Sequence, residues 1–182
     1  MTQPNPQHGR EVRAILGLGS NLGEREEHLR RAIAALGRLG AVEAISSLYE
    51  TAPVGPVRQP DFVNAAIVLR TALSPEDLLA EMLAIEQQHG RDRRASLPKG
   101  PRTLDLDLLA YADVVMETPS LTLPHPALAE RRFVLAPLAE IAPAWRHPMS
   151  GKTAAQLLAE LPDANDASNH NVRRMESSGF PA

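Results

Sequence analysis

The 182-residue chain contains no cysteine. That excludes disulfides, thiolate metal centres and cysteine nucleophiles together. No apolar run approaches the ~18 residues that a membrane span needs, so no membrane partner is expected. Neither sign of charge is in large excess: 19 Lys and Arg face 22 Asp and Glu, leaving a net −3. That balance gives no reason to expect a general binder of nucleic acid. Aromatic residues are scarce (Tyr49, Phe62, Tyr111, Phe133, Trp145 and Phe180). Each therefore needs an explanation, with core packing the usual fate of such a side chain. The first dozen residues are polar and Pro-rich, without the apolar stretch of a secretory signal. The expectation is a cytoplasmic protein with one domain over residues 12–162, flanked by flexible tails at 1–11 and 163–182.

What is present is most informative at Arg102-Thr103-Leu104-Asp105-Leu106-Asp107-Leu108. Leu and Asp alternate with the period of a β-strand. Leu104, Leu106 and Leu108 then face a core, and Asp105 and Asp107 share the other face, roughly 7 Å apart along the strand. Two carboxylates at that spacing repel each other and call for a cation. Hard divalent ions such as Mg²⁺ take carboxylate oxygens and bring phosphates with them. A solvated strand face would carry two acids equally well, so this segment alone decides nothing.

Elsewhere the pattern reads as strand (12–19), helix (24–39), strand (42–51), Pro-rich loop (52–61), strand (62–71) and helix (75–89), with Ser74 as N-cap and Pro75 at the first helical position. An Arg-rich loop precedes the Leu–Asp strand. Beyond it, 117–126 reads as irregular, 127–141 as helix with Pro137 kinking or restarting it, and 153–161 as a short helix. The order β-α-β-β-α-β is that of the ferredoxin-like split βαβ motif. The expected fold is therefore α+β: an antiparallel four-stranded sheet with helices on one face, plus extra C-terminal helices. RNA-recognition domains share this strand order, but they need central-strand aromatics and a basic face.

Two phosphate-loop lookalikes fail. Gly17-Leu18-Gly19 through Gly23 puts its third glycine one residue late for a dinucleotide fingerprint. Gly151-Lys152-Thr153 ends like a Walker A loop but has Arg146 where that loop needs glycine. The Arg-rich loop is more telling. Arg91, Arg93, Arg94, Lys99 and Arg102 sit beside the paired acids. Carboxylates for metal and arginines for phosphate oxygens are the usual toolkit for nucleoside triphosphates.

Taken with Gly19-Ser20-Asn21-Leu22, Ser46–Pro53, Gln59–Ala66, Ile85-Glu86, Gly90-Arg91, Gly100–Asp107, Pro124-His125-Pro126 and Phe133–Leu138, the chain closely resembles the 6-hydroxymethyl-7,8-dihydropterin pyrophosphokinase family. The resemblance runs from about Ala14 to Pro143. It implies transfer of the terminal pyrophosphate of ATP to the hydroxymethyl oxygen of the dihydropterin, with release of AMP, in folate biosynthesis. It implies two Mg²⁺ ions held by Asp105 and Asp107. Arg91 and Arg102 are implied as catalytic arginines on the phosphates, and Arg93 as a further ATP contact. Phe62 and Phe133 are implied to sandwich the pterin. Asn64 is implied to pair with its edge, and the stretch from Thr51 through Pro53 and Val54 to supply the remaining contacts. Glu86, Leu108, Thr122, His125 and Arg131 are implied on the ATP side. Lys99 stands where some relatives have tryptophan, and Ser120 where some have arginine. Asn21 is expected to fix the first turn by capping rather than touch a ligand. ATP and the pterin are the expected partners of a monomer, with the arginine loop closing over both.

Overall fold

Val12–Ser20 (β1) is mostly apolar and sits inside the sheet, paired on both edges, and both of its faces are buried because one apolar core lies on each side of it. The computed structural model describes residues 10–53, 58–91, 100–162 and 171–176. Helix α1 (Arg25–Leu36) follows β1 and buries Leu29, Ala32, Ile33 and Leu36, one helical stripe. Then come β2 (Ala41–Ile45), β3 (Tyr49–Thr51) and β4 (Phe62–Thr71). Helix α2 (Pro75–Gln88) starts as its sequence predicts, with Ser74 Oγ accepting from the Asp77 backbone N–H at 3.1 Å. Strand β5 (Asp105–Tyr111) and the short hairpin β6 (Met116–Glu117) and β7 (Thr122–Leu123) precede α3 (Arg132–Ile141) and α4 (Ala154–Glu160). The last element is β8 (Arg173–Arg174).

The main sheet is antiparallel throughout, in the order β5-β1-β4-β3-β8, with β2 pairing β4 beside β3. Helices α1 and α2 cover one face. Their Leu29, Ile33, Leu36, Leu78 and Met82 pack with Leu16, Leu18, Ile67, Leu69, Leu106 and Leu108. The other face is not bare, as an arrangement with helices on one side only would leave it. Helices α3 and α4 cover part of it, packing Val134, Leu135, Leu138 and Leu157 against Ile15, Leu109 and Ala110. Their apolar stripes need a surface, and the sheet's second face is the one left over. A register shift between Ile15 and Leu16 lets Leu109 and Ala110 both turn toward that second core.

Several boundaries differ from the sequence pattern. The expected strand over 42–51 breaks at Ser46–Leu48, where the buried Ser46 hydroxyl accepts from the Ala66 backbone N–H at 2.9 Å and replaces part of the ladder. The expected helix over 127–141 breaks at the extended Arg131, and Pro137 sits inside α3 without ending it. Residues 171–176 belong to the stretch expected as a flexible tail, yet they return to the sheet. Tyr49 and Glu50 pair with Arg174 and Arg173, and the Met175 N–H donates to Leu48 O at 2.8 Å. The unpaired edge of β3 is the physical reason. Among the described residues, no helix is long and apolar enough to cross a membrane.

Gly40 marks the tightest approach in this framework. A Cβ there would stand 2.2 Å from the Arg70 carbonyl oxygen and 3.1 Å from Thr71 Cα, both backbone of β4. Gly40→Ala is expected to cost about 2 kcal/mol or more in urea unfolding, because strand backbone must move. Gly37→Ala, whose nearest contact would be an ordinary 3.5 Å, should change stability by less than about 1 kcal/mol.

Candidate active site

Three adjacent strands, β5, β1 and β4, present two transverse rows on the face of α3. One row is Asp107–Gly17–Ala66 and the next is Asp105–Gly19–Asn64. In each row an acid on β5 lies beside a glycine on β1. The glycines are required for space. A Cβ on Gly19 would meet Asn64 Oδ1 at 3.0 Å, and one on Gly17 would meet the Leu109 side chain at 3.3 Å. The small floor leaves a cavity of about 310 Å³ between the sheet and the N-terminal end of α3. Gly17 and Gly19, dismissed above as a failed dinucleotide motif, are the base of this cavity.

One side of the cavity is charged. Asp105 Oδ1 accepts from Arg91 Nη1, and Asp105 Oδ2 lies 3.2 Å from Arg102 Nη1. The same Arg91 nitrogen also donates to Glu86 Oε1, which accepts the Leu106 backbone N–H at 2.8 Å as well. Glu86 is only 1% exposed. It is thus an anchor under Arg91 that ties α2 to β5. Asp107 has no hydrogen-bond partner among the described residues. Burial, and then the neighbouring Asp105 charge, push its carboxyl up to about 6, against the pull of Arg102 and Arg131. His125 is half-buried beside it. Burial and Arg131 hold its imidazole below the usual value, with Asp105 pulling the other way. Its Nδ1 accepts from the Ala127 backbone N–H at 3.2 Å, so the neutral ring keeps its proton on Nε2. Arg102 Nε is buried with no partner among the described residues, a donor beside the acids.

The other side is aromatic and amide-lined. Phe62 opens β4 and Phe133 lies in the first turn of α3. The Arg102 guanidinium carbon sits 5.2 Å from the Phe62 ring centre, and that of Arg131 sits 5.7 Å from the Phe133 ring centre. Asn64 Nδ2 donates to Thr51 Oγ1 at 2.8 Å, which fixes the amide and leaves its Oδ1 over Gly19. A slot with ring faces and one oriented amide suits a flat heterocycle with donor and acceptor edges.

The structure brings Thr51, Phe62, Asn64, Arg91, Arg102, Asp105, Asp107, His125, Arg131 and Phe133 to one cavity. It does not bring Glu86, which lies beneath Arg91. Nor does it bring Leu108, whose side chain is in the core on the opposite face from the acids, the consequence of the same alternation that pairs Asp105 with Asp107. Pro53 and Thr122 do not line it either, and Val54, Arg93 and Lys99 lie outside the described residues. Sequence reasoning missed Gln59, Leu109 and Val134 in the lining. It also misread Asn21. Helix α1 has no side-chain cap, and its N-cap position is Glu24. Asn21 Nδ2 instead donates to Gln59 Oε1 at 2.9 Å and Pro60 O at 3.1 Å. Its Oδ1 accepts from Arg102 N at 2.7 Å, and its own N–H donates to Arg102 O at 3.1 Å. One buried amide thus holds two segments that border the cavity, 59–60 and 102. Its position just after a strand that ends in Gly-Ser was the available signal.

Among the described residues, no three His, Asp or Glu side chains gather as a metal cluster. Asp105 and Asp107 alone are an incomplete cage. Such a set suits an ion like Mg²⁺ that keeps waters and takes phosphate oxygens. Asp107, acidic and uncompensated, is where added positive charge is most needed. The sign of its effect on stability follows. Below the ordinary carboxylate range Asp107 is protonated folded or unfolded, and nothing is lost. As pH rises through about 6 the folded protein must ionise a disfavoured acid and loses stability. Asp107→Asn is therefore expected to make the metal-free protein about 1–3 kcal/mol more stable at pH 7.5. Thermal melts in chelator should show the gap closing as the pH approaches 4. An unchanged or lowered melting temperature at pH 7.5 would remove this account of the charge balance.

Residues 15–143 match the family model described as 7,8-dihydro-6-hydroxymethylpterin-pyrophosphokinase. A 2-amino-4-hydroxy-6-hydroxymethyldihydropteridine pyrophosphokinase of Synechocystis sp. is 47% identical over 160 residues, covering 87% of this chain and 78% of the relative. The protein of the same name from Pseudomonas aeruginosa is 44% identical over 152 residues, covering 82% and 92%. In Bacillus subtilis the figures are 48% over 130 residues, 70% and 77%. The solved wild-type HPPK-DHPS of Plasmodium falciparum shares the fold at a TM-score of 0.64 and 16% identity, over 82% of this chain. This chain spans less than half, 44%, of that solved one. The family match takes in the glycine floor, the three described arginines of the lining, the paired acids and both ring faces, and the chain belongs to the 7,8-dihydro-6-hydroxymethylpterin-pyrophosphokinase family.

Proposed function

We propose that this chain transfers the terminal pyrophosphoryl group of ATP to the hydroxymethyl oxygen of 6-hydroxymethyl-7,8-dihydropterin, a step of folate biosynthesis. The observation that carries the proposal is a single cavity that joins an under-compensated acid pair and arginines to a ring-and-amide slot. A triphosphate and a flat heterocycle can meet there, over Gly17 and Gly19. In the reaction a bond forms between the hydroxymethyl oxygen and the β-phosphorus. The bond from that phosphorus to the oxygen bridging it to the α-phosphate breaks, and AMP leaves.

Asp105 and Asp107 would hold two Mg²⁺ ions, which supply positive charge to the triphosphate and to the departing oxygen. Arg91 and Arg102 are catalytic residues that would lend their charge to the phosphate oxygens from their places beside Asp105, Arg91 still anchored by Glu86. Arg93 joins them. His125 donates from Nε2, and Arg131 adds charge at the same end. Phe62 and Phe133 hold the pterin ring, Asn64 reads its edge, and Thr51 orients Asn64, with Pro53 and Val54 assigned to the pterin by the family resemblance alone. Thr122 and Leu108 act on ATP only through main chain, and Glu86 acts through Arg91. Little covalent work falls to the protein, so positioning and charge neutralisation carry the rate.

The strand order and the two crossing helices read as a ferredoxin-like core over 12–162, extended by β8. The described acids, arginines, rings and amide of the cavity all belong to a single chain, so the proposed site needs no residue from a second copy and we take the working unit to be a monomer.

The test is the nucleotide released. With ATP, Mg²⁺ and the hydroxymethyl dihydropterin, AMP is expected. ADP would mean transfer of a single γ-phosphate and would overturn the proposal. Asp107→Ala should lower kcat by about two to three orders of magnitude with circular dichroism unchanged. A variant that keeps near-normal turnover would sink the metal assignment.

A further inference from the structure

Arg25, at the first position of α1, reaches both ends of the segment that separates β3 from β4. Its Nη1 donates to Asp61 O at 2.8 Å, and its Nη2 lies 3.2 Å from Glu50 Oε1. Glu50 immediately precedes Thr51, and Asp61 immediately precedes Phe62. Thr51 and Phe62 face each other as the last rung between these strands. The second oxygen of Glu50 is not idle. Arg173 Nη2 donates to Glu50 Oε2 at 2.7 Å, from the strand β8 that pairs with β3. Both guanidiniums hold the Glu50 carboxyl below the usual range, Arg173 foremost.

A terminal rung next to a three-residue strand frays readily. Here the rung carries one ring face of the cavity and the hydroxyl that orients Asn64. We propose that Arg25, Glu50 and Arg173 form a positioning clamp that fixes Thr51 and Phe62, so that Arg25 and, to a smaller extent, the C-terminal strand β8 tune the affinity of the site for its flat heterocyclic substrate.

The clamp differs from ordinary surface pairing in where its effect appears. Arg173 is 73% exposed, and ion pairs so exposed add little to global stability. The Arg25–Glu50 pair is better shielded, at 30% and 23%. Its consequence is geometric: the last rung, rather than the fold, depends on it. None of the three residues lines the cavity. Pterin affinity should therefore change while nucleotide handling does not.

The inference rests on the pterin reading of the slot, and the experiment keeps the two apart. Arg25→Gln, Arg25→Lys, Glu50→Gln, Arg173→Gln and the double variant E50Q/R173Q are made in the full chain. Affinity is read by quenching of 6-hydroxymethylpterin fluorescence, and KM and kcat are read for each substrate. R25Q and E50Q should weaken the pterin about fivefold and R173Q about threefold, with kcat and the KM for ATP within about 1.5-fold. R25K should recover part of the loss, since one ammonium serves one of the two acceptors. R173Q should add nothing to E50Q, because both remove the same contact. Pterin affinity of the unmodified chain should also fall as salt rises, although 6-hydroxymethylpterin is uncharged near neutral pH. Equal shifts in both KM values, independent R173Q and E50Q effects, or no shift in pterin affinity would overturn the clamp. If R25Q fails to fold, the exposed R173Q decides. A chain that binds the pterin without releasing AMP would defeat the catalytic reading and leave the clamp to be judged on affinity alone.

Discussion

Asp105 and Asp107 share one face of one strand, and the charge balance of the cavity starts from their repulsion. The compensation is uneven. Asp105 receives two guanidiniums, and Glu86 beneath holds Arg91 in place. Asp107 receives no direct partner among the described residues and stays reluctant to ionise. A site that paired both acids with arginine would be quiet and stable, and it would have no reason to bind a further cation. Leaving one acid unsatisfied stores a cost in the ligand-free protein that positive charge can relieve.

That arrangement needs a floor without side chains. Gly17 and Gly19 sit between the acids of β5 and Ala66 and Asn64 of β4, so the sheet is nearly bare where ligand would lie. Bare sheet is tolerable because the opposite face is fully packed under α1 and α2, and because α3 and α4 cover the remainder of the near face. Helix α3 has two jobs. Its Leu135 and Leu138 close the second core, while its first turn delivers Phe133, and the extended residue before it Arg131, to the cavity rim. The register of α3 on the sheet therefore fixes the width of the slot.

Much of this was legible locally. Alternation at Leu104–Leu108 correctly put the leucines in a core and the acids together on the other side, and Ser74-Pro75 correctly placed a helix start. What escaped is what local pattern cannot carry. Asn21 looked like a turn former because its neighbours are turn residues, yet its partners lie 38 to 81 positions away. Leu108 was taken toward nucleotide although its own alternation directs it to the core. The return of 171–176 to β3 has little hydrophobic signature, with Met175 its one residue packed against the core. Its other contacts are backbone pairing and arginines on Glu50, Ser47 and Glu140, so composition alone suggested a frayed end.

These long-range polar contacts share a pattern. Asn21 joins 59–60 to 102, Glu86 joins α2 to Arg91 and β5, and Glu140 on α3 gathers Ser47, Tyr49 and Arg174. Each links the end of a rigid element to a segment bordering the cavity. Apolar packing fixes where strands and helices lie, but it is non-directional and tolerates small slides. Hydrogen bonds to a buried or half-buried polar side chain do not tolerate them, because a misplaced partner leaves an unsatisfied group. The hydrophobic layers thus build the platform, and a sparse set of directional bonds at its rim sets the positions on which a reaction governed by alignment and charge depends.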